Sequence, residues 1–132
     1  MIKKTMVLSI CIAVMSFLQV AKAQSAQKWK EMEAFHQVLS KTFHPAEEGN
    51  VKPAKDSASL LLQRAELWQQ AAIPAGYKPD LTKTVLTKLV ASCRDLETAV
   101  KQGKSDDVIK AKITKVHDDF HEIAEKCREP HS

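Results

Sequence analysis

Apolar side chains recur at alternating steps of three and four residues in four stretches of the chain. They are Trp29, Met32, Phe35, Leu39 and Phe43; Leu61, Ala65, Trp68 and Ala72; Leu86, Leu89, Cys93, Leu96 and Val100; and Ile109, Ile113, Val116, Phe120, Ile123 and Cys127. This spacing lines one face of an α-helix with apolar groups. The sequence therefore predicts four amphipathic helices that share a core.

Glycine and proline divide these stretches. Gly49, Gly76 and Gly103 lie 27 residues apart, and four of the five prolines flank the first two glycines. The connections are short, so consecutive helices should run in opposite directions as an all-α, up-down-up-down antiparallel four-helix bundle. The predicted helices span residues 26–44, 53–72, 80–102 and 106–128. The predicted core includes Met32, Phe35, Leu39, Leu61, Trp68, Leu89, Leu96, Ile113, Val116, Phe120 and Ile123.

Particular residues predict the helix ends. Pro45 disfavours helical geometry at His44, so the first helix should end there, and Pro53 suits the first turn of the second helix. Asp80 is expected to cap the third helix, and Ser105 the fourth.

The first residues have the features of a secretory signal peptide. Two lysines precede an apolar run over residues 6–20, which is followed by the small residues Ala21 and Ala23. The run holds 15 residues, fewer than the ~20 that span a bilayer. We therefore expect residues 1–23 to be cleaved and residues 24–132 to form one domain in the periplasm or outside the cell.

Removal of this segment also changes the charge. The full chain has 20 Lys and Arg against 16 Asp and Glu, and without Lys3, Lys4 and Lys22 the balance is 17 against 16. A near-neutral chain with mixed charges lacks the electrostatic footprint of a nucleic-acid or anionic-membrane protein. The expected protein is a monomer or homodimer that binds a metal or small ligand and does not insert into a membrane.

Two cysteines remain in the predicted mature chain. If the third and fourth helices turn back on each other near Gly103, Cys93 and Cys127 lie roughly 20 Å apart along the helix axes. A disulfide tolerates Cα separations of up to about 7 Å. We expect Cys93 to be a core residue and Cys127 to be a core residue, a metal ligand or the partner of another chain's Cys127.

The segment KVHDDFHEIAEKC carries the main candidate chemistry. His117 and His121 stand four residues apart, the spacing by which one helix presents two imidazoles to one metal ion. His36 is expected to face the core of the first helix at the same level of the bundle. The sequence thus predicts a transition-metal site of His36, His117 and His121, with Cys127 as a further ligand. A flanking histidine pair in water is the alternative.

His44 opens the segment HPAEEGN at the far end of the first helix. It should lie about 12 Å along the axis from His36. With Glu47 and Glu48 it is either a helix-end residue beside a carboxylate or the edge of a second, weaker metal site. His131 lies in the C-terminal tail.

The segment ITKVHDDF, residues 113–120, resembles the fourth-helix haem motif of the cytochrome c-prime family. Ile113 and Val116 stand where that family has its two haem-attaching cysteines, and His117 stands at the axial histidine. Covalent haem attachment is therefore not possible here. The chain is also similar to the soluble b-type four-helix cytochromes, which hold haem noncovalently. That resemblance implies haem bound by His117 with Met32 or His36.

Two alternative functions of other classes stay open, an oxidoreductase and a bundle without a cofactor. EAFH and DDFH place an acidic residue three positions before His36 and His121, as in di-metal carboxylate oxidoreductases. The chain is alternatively a structural or protein-interaction bundle without a cofactor. No nucleophile motif or glycine-rich phosphate loop occurs. The sequence therefore favours a cytochrome-like binding protein with an electron-transfer or metal-handling role, not an enzyme.

Overall fold

The computed structural model describes residues 28–130, which form four α-helices and no strand. The helices are α1 (Lys30–Glu47), α2 (Lys52–Gln70), α3 (Pro79–Lys101) and α4 (Asp106–Lys126). One isolated antiparallel bridge joins Tyr77 to Arg128. The all-helical prediction is confirmed for this part of the chain. The signal peptide, the predicted start of α1 at residue 26 and His131 lie outside the described residues.

The four helices share one hydrophobic core. α1 packs against α2 and α4, and α3 packs against α2 and α4. Ten of the eleven predicted core residues are buried, and Met32 is partly buried against them. The three-and-four spacing therefore identified the buried face of every helix.

The first helix continues through Pro45, so its predicted end at His44 was wrong. Proline lacks an N–H and removes one helical hydrogen bond, but the residues around it, Phe43 and Ala46, are buried and hold the last turn in place. The helix ends at Glu47 with Glu48 as its C-cap, and Gly49 follows with a φ of +92°. The N–H groups of Gly49 and Asn50 donate to the carbonyls of Ala46 and Pro45, the glycine-dependent C-cap of a helix.

Two of the three helix starts predicted from particular residues are confirmed. Ser105 caps α4 by accepting a hydrogen bond from the Val108 N–H at 3.4 Å, and Pro53 lies in the first turn of α2. The cap assigned to Asp80 was wrong, because α3 begins one residue earlier, at Pro79. Proline already has the φ angle of a first helical residue and has no N–H that needs a cap.

Polar and aromatic contacts join different elements at the two ends of the bundle. At one end the Lys55 ammonium contacts the Asp106 carboxylate at 2.6 Å. At the other, the Lys78 N–H donates to the Cys127 carbonyl at 2.8 Å, and the Trp29 and Tyr77 rings meet at 5.0 Å. Among residues 28–130, no helix is long and apolar enough to cross a membrane.

Candidate metal site

The α1–α4 seam carries a pair of imidazoles that point at each other. His117 and His121 lie one turn apart on α4, and their Nε2 atoms are 3.1 Å apart. Two metal–nitrogen bonds of about 2.05 Å that end on these atoms would meet at roughly 98°, between square and tetrahedral angles. The separation of the two Nε2 atoms is therefore compatible with two bonds to one ion.

The outer nitrogens of the pair face carboxylates. His121 Nδ1 lies 3.1 Å from Glu125 Oε1, and His117 Nδ1 lies 3.8 Å from Asp118 Oδ1. A carboxylate can only accept, so His121 carries its proton on Nδ1 and leaves Nε2 with a free lone pair. A carboxylate that accepts from the outer nitrogen is the usual second shell of a histidine ligand to a metal, and His121 has such a partner in Glu125.

A cation or a proton must lie between the two Nε2 atoms, because two lone pairs at 3.1 Å would repel each other. In the metal-free protein His117 Nε2 therefore donates to His121 Nε2. Partial burial, with a smaller contribution from the nearby charge of His121, lowers the pKa of His117. Both causes favour the neutral imidazole, the form that binds metal.

Phe43 on α1 holds the first of these rings. Its ring lies face to face with that of His117, with centroids 3.7 Å apart and planes at 12°. The side chain of His117 is 25% exposed and that of His121 46% exposed. The stack limits rotation of His117, and the exposure of both rings leaves solvent access to their Nε2 atoms.

His36 does not face the core, contrary to the prediction. It is exposed, and its ring stacks on Phe120 with centroids 4.8 Å apart. The predicted level was correct, since Phe120 directly precedes His121. The apolar face of α1 is narrower than the spacing suggested, and Phe35 and Leu39 fill it. His36 therefore lies beside the imidazole pair, separated from it by the ring of Phe120.

Met32 and His117 lie at different levels of the bundle. The Tyr77 hydroxyl donates to Met32 Sδ at 3.6 Å, whereas His117 stacks on Phe43, eleven residues further along α1. Eleven residues correspond to about 16 Å of helix. The structure therefore does not bring these two side chains to one iron atom. Ile113 and Val116, at the positions of the haem-attaching cysteines, are core residues.

Cys93 and Cys127, the two cysteines among residues 28–130, are free and buried. Burial raises the pKa of the Cys93 thiol to about 12 and that of Cys127 above its ordinary value. Cys127 caps the end of α4, six residues or about 9 Å beyond His121. It is a core residue, and it is not brought to the imidazole pair.

His44 and Glu47 form a second polar pair on α1. His44 Nδ1 lies 3.2 Å from Glu47 Oε2, and both side chains are more than half exposed. The His44 ring is 5.8 Å from that of Phe43, the residue whose ring stacks on His117. Glu48 caps the helix end and is exposed.

Asp119, between His117 and His121 in α4, has a buried carboxylate that the sequence did not predict. Asp119 is 1% exposed, whereas the side chain of the preceding Asp118 is 69% exposed. Ser92 on α3 donates to it at 2.5 Å, and Lys115 and Lys88 contact it. Its position between Val116 and Ile123 on the inner side of α4 was the available signal.

The carboxylates required for a di-metal centre are used elsewhere. Glu33 pairs with Lys28, and Glu66 on α2 pairs with Arg94 on α3. Asp118 and Asp95 are exposed. Within residues 28–130, no three His, Cys, Asp or Glu side chains are positioned to share an ion. The His117–His121 pair is thus a two-ligand arrangement.

No family model, curated protein or solved structure matches the chain. Residues 28–130 thus form four helices, and two imidazoles on α4 bring their Nε2 atoms to 3.1 Å of each other.

Proposed function

We propose that this protein is an exported four-helix bundle that binds a divalent transition-metal ion reversibly through His117 and His121. The 3.1 Å separation of the two Nε2 atoms carries this proposal. Imidazole suits zinc, copper and nickel among the common ions. A site with two imidazoles and solvent access releases its ion readily, which favours metal handling over a structural metal.

Proton and metal compete for the same nitrogen atoms in this mechanism. Without metal, a proton on His117 bridges the pair. When an ion binds, that proton moves to His117 Nδ1, where Asp118, now 3.8 Å away, can accept a hydrogen bond after approaching by about 1 Å. Binding therefore weakens as the pH falls through the imidazole range near ~6.5.

We also propose that the helices run up, down, up and down. The connections at residues 48–51, 71–78 and 102–105 are short, and short links favour antiparallel neighbours. The Lys55–Asp106 contact supports this topology, because it joins the start of α2 to the start of α4.

Export is part of the proposal because of the N-terminal pattern. Basic residues, the apolar run and the small residues at Ala21 and Ala23 are those of a cleaved signal peptide. Outside the cytoplasm, a surface site with weak to moderate affinity meets ions that are not already held by intracellular proteins.

Calorimetric titration with Zn²⁺, Cu²⁺ and Ni²⁺ tests the proposal. We expect one ion per chain at pH 7.5, weaker binding at pH 5.5, and loss of this binding in His117→Ala. The matched control is His36→Ala, which removes a nearby exposed histidine outside the pair and should bind as the parent does. If the parent binds none of the three ions, or if His117→Ala binds equally well, the proposal fails and a structural or interaction bundle is favoured.

A further inference from the structure

The imidazole pair fills only half of the coordination positions that a divalent ion commonly uses. Structural zinc has four ligands, and catalytic zinc has three protein ligands and a water molecule. His117 and His121 supply two nitrogens, and among the residues that the structure describes no three His, Cys, Asp or Glu side chains are positioned to share an ion. Two positions on a bound ion are therefore open to water or to another molecule.

The helix face that carries the pair is exposed. The side chain of His121 is 46% exposed and that of His117 25% exposed. Phe43 covers one face of the His117 ring, and the acidic side chains beside the pair, Asp118 and Glu125, are 69% and 67% exposed. A second protein surface can therefore reach the pair from the solvent.

A second copy of the chain is the partner that completes this pair without any further kind of ligand. Under a twofold rotation about an axis through the ion, it presents the same two imidazoles from the opposite side. The two nitrogens of each copy subtend roughly 98° at the ion when the bonds are about 2.05 Å long. Two such pairs in perpendicular planes make a tetrahedral set of four nitrogens, the geometry of four-coordinate zinc.

The charges beside the pair make such a dimer dependent on the ion. Asp118 lies 3.8 Å from His117 Nδ1, and Glu125 lies 3.1 Å from His121 Nδ1. Two copies that face each other through this surface bring these exposed carboxylates together, and like charges repel. A divalent cation between the copies offsets part of this repulsion, so metal-free chains should stay apart.

We propose that one divalent ion joins two copies of this protein through His117 and His121 of each copy. This inference rests on the proposed function and adds its partner, a second copy of the same chain. When the ion is in excess, mass action gives every chain its own ion and the dimer separates. The calorimetric titration therefore still ends at one ion per chain, and the dimer exists over a limited range of ion concentration.

Sedimentation velocity tests the inference by measuring the molecular mass without metal, with half an equivalent of Zn²⁺ and with a tenfold excess, over a range of chain concentrations. His117→Ala removes one imidazole from each half of the shared site, and His36→Ala is the matched control outside it. Circular dichroism checks that both variants are folded. Removal of Zn²⁺ from the parent by a chelator tests the same dependence without a substitution.

For the parent and for His36→Ala we expect a doubled mass at half an equivalent of Zn²⁺. Both should be monomers without metal, in excess Zn²⁺ and after chelation. His117→Ala should stay monomeric at every ratio of ion to chain, because each half of the site then offers a single imidazole.

The inference is overturned if the parent stays monomeric with Zn²⁺ at every chain concentration. It is also overturned if the dimer forms without metal or persists in a tenfold excess of Zn²⁺, because the interface then lies elsewhere. In these cases the proposed function stands as long as calorimetry shows that the parent binds an ion and His117→Ala does not. If the parent binds none of Zn²⁺, Cu²⁺ and Ni²⁺, both proposals fail together.

Discussion

Replacing the buried Asp119 with alanine should destabilise the protein strongly, although the neighbouring Asp118 can be replaced at little cost. Asp119 is 1% exposed and lies between α3 and α4. Its carboxylate accepts from the Ser92 hydroxyl at 2.5 Å and contacts Lys115 and Lys88. In Asp119→Ala all three groups lose this partner.

The size of the effect follows from the exposure of the partners. Ser92 is 9% exposed, and a buried hydroxyl without an acceptor costs about 1–3 kcal/mol. The side chains of Lys115 and Lys88 are 52% and 47% exposed, so each ion pair adds at most about 1 kcal/mol. Together these give roughly 3 kcal/mol, equivalent to a fall in Tm of roughly 10–20 °C for a domain of this size.

Urea denaturation followed by circular dichroism measures this difference. Asp118→Ala is the matched control, because the Asp118 side chain is 69% exposed and surface changes usually stay within about 0.5 kcal/mol. Asp119→Asn should be intermediate, since the amide keeps the shape and one acceptor for Ser92 but loses both lysine pairs. If Asp119→Ala and Asp118→Ala unfold at the same urea concentration, the buried network does not contribute as described.

Three further predictions concern pH, thiols and the α4 cap. In NMR of the metal-free protein, the pKa of His117 should lie below its ordinary value of 6.5, and a normal titration would contradict this. As the pH is lowered from 6.5 to the folded-state pKa, the unfolded chain takes up a proton at His117 before the folded protein does, so the free energy of unfolding decreases. A thiol reagent should leave native Cys93 and Cys127 unmodified and label both after denaturation, whereas rapid native labelling would show that they are accessible. Ser105→Ala should lower the free energy of unfolding by about 1 kcal/mol and Ser105→Asp should not, with equal losses arguing against a capping role.

Periodicity determined most of the fold because burial is a property of whole helix faces. It identified the buried faces of all four helices, and the capping preference of serine identified the start of α4 at Ser105. It failed at Pro45, where the rule that proline ends a helix gave way to two buried neighbours and a glycine cap at Gly49. Local rules predict an end correctly only when packing does not oppose them.

The site was predicted less well than the fold because it depends on the relative rotation and level of two helices. Spacing alone was enough to pair His117 with His121, since both belong to α4. The positions of His36 and Met32 relative to that pair depend on how α1 and α4 pack, as does the contact of Phe43 with His117. A one-residue rotation moves a histidine from the core to the surface, and the sequence does not record that angle.

NMR of the imidazole nitrogens during a Zn²⁺ titration observes the atoms that the account assigns to the ion. One equivalent of Zn²⁺ should move the Nε2 resonances of His117 and His121 to values typical of metal-bound nitrogen, and it should fix the proton of each ring on Nδ1. The nitrogens of His36 should keep their metal-free shifts. Bound Zn²⁺ with the His117 and His121 resonances unchanged would contradict the account.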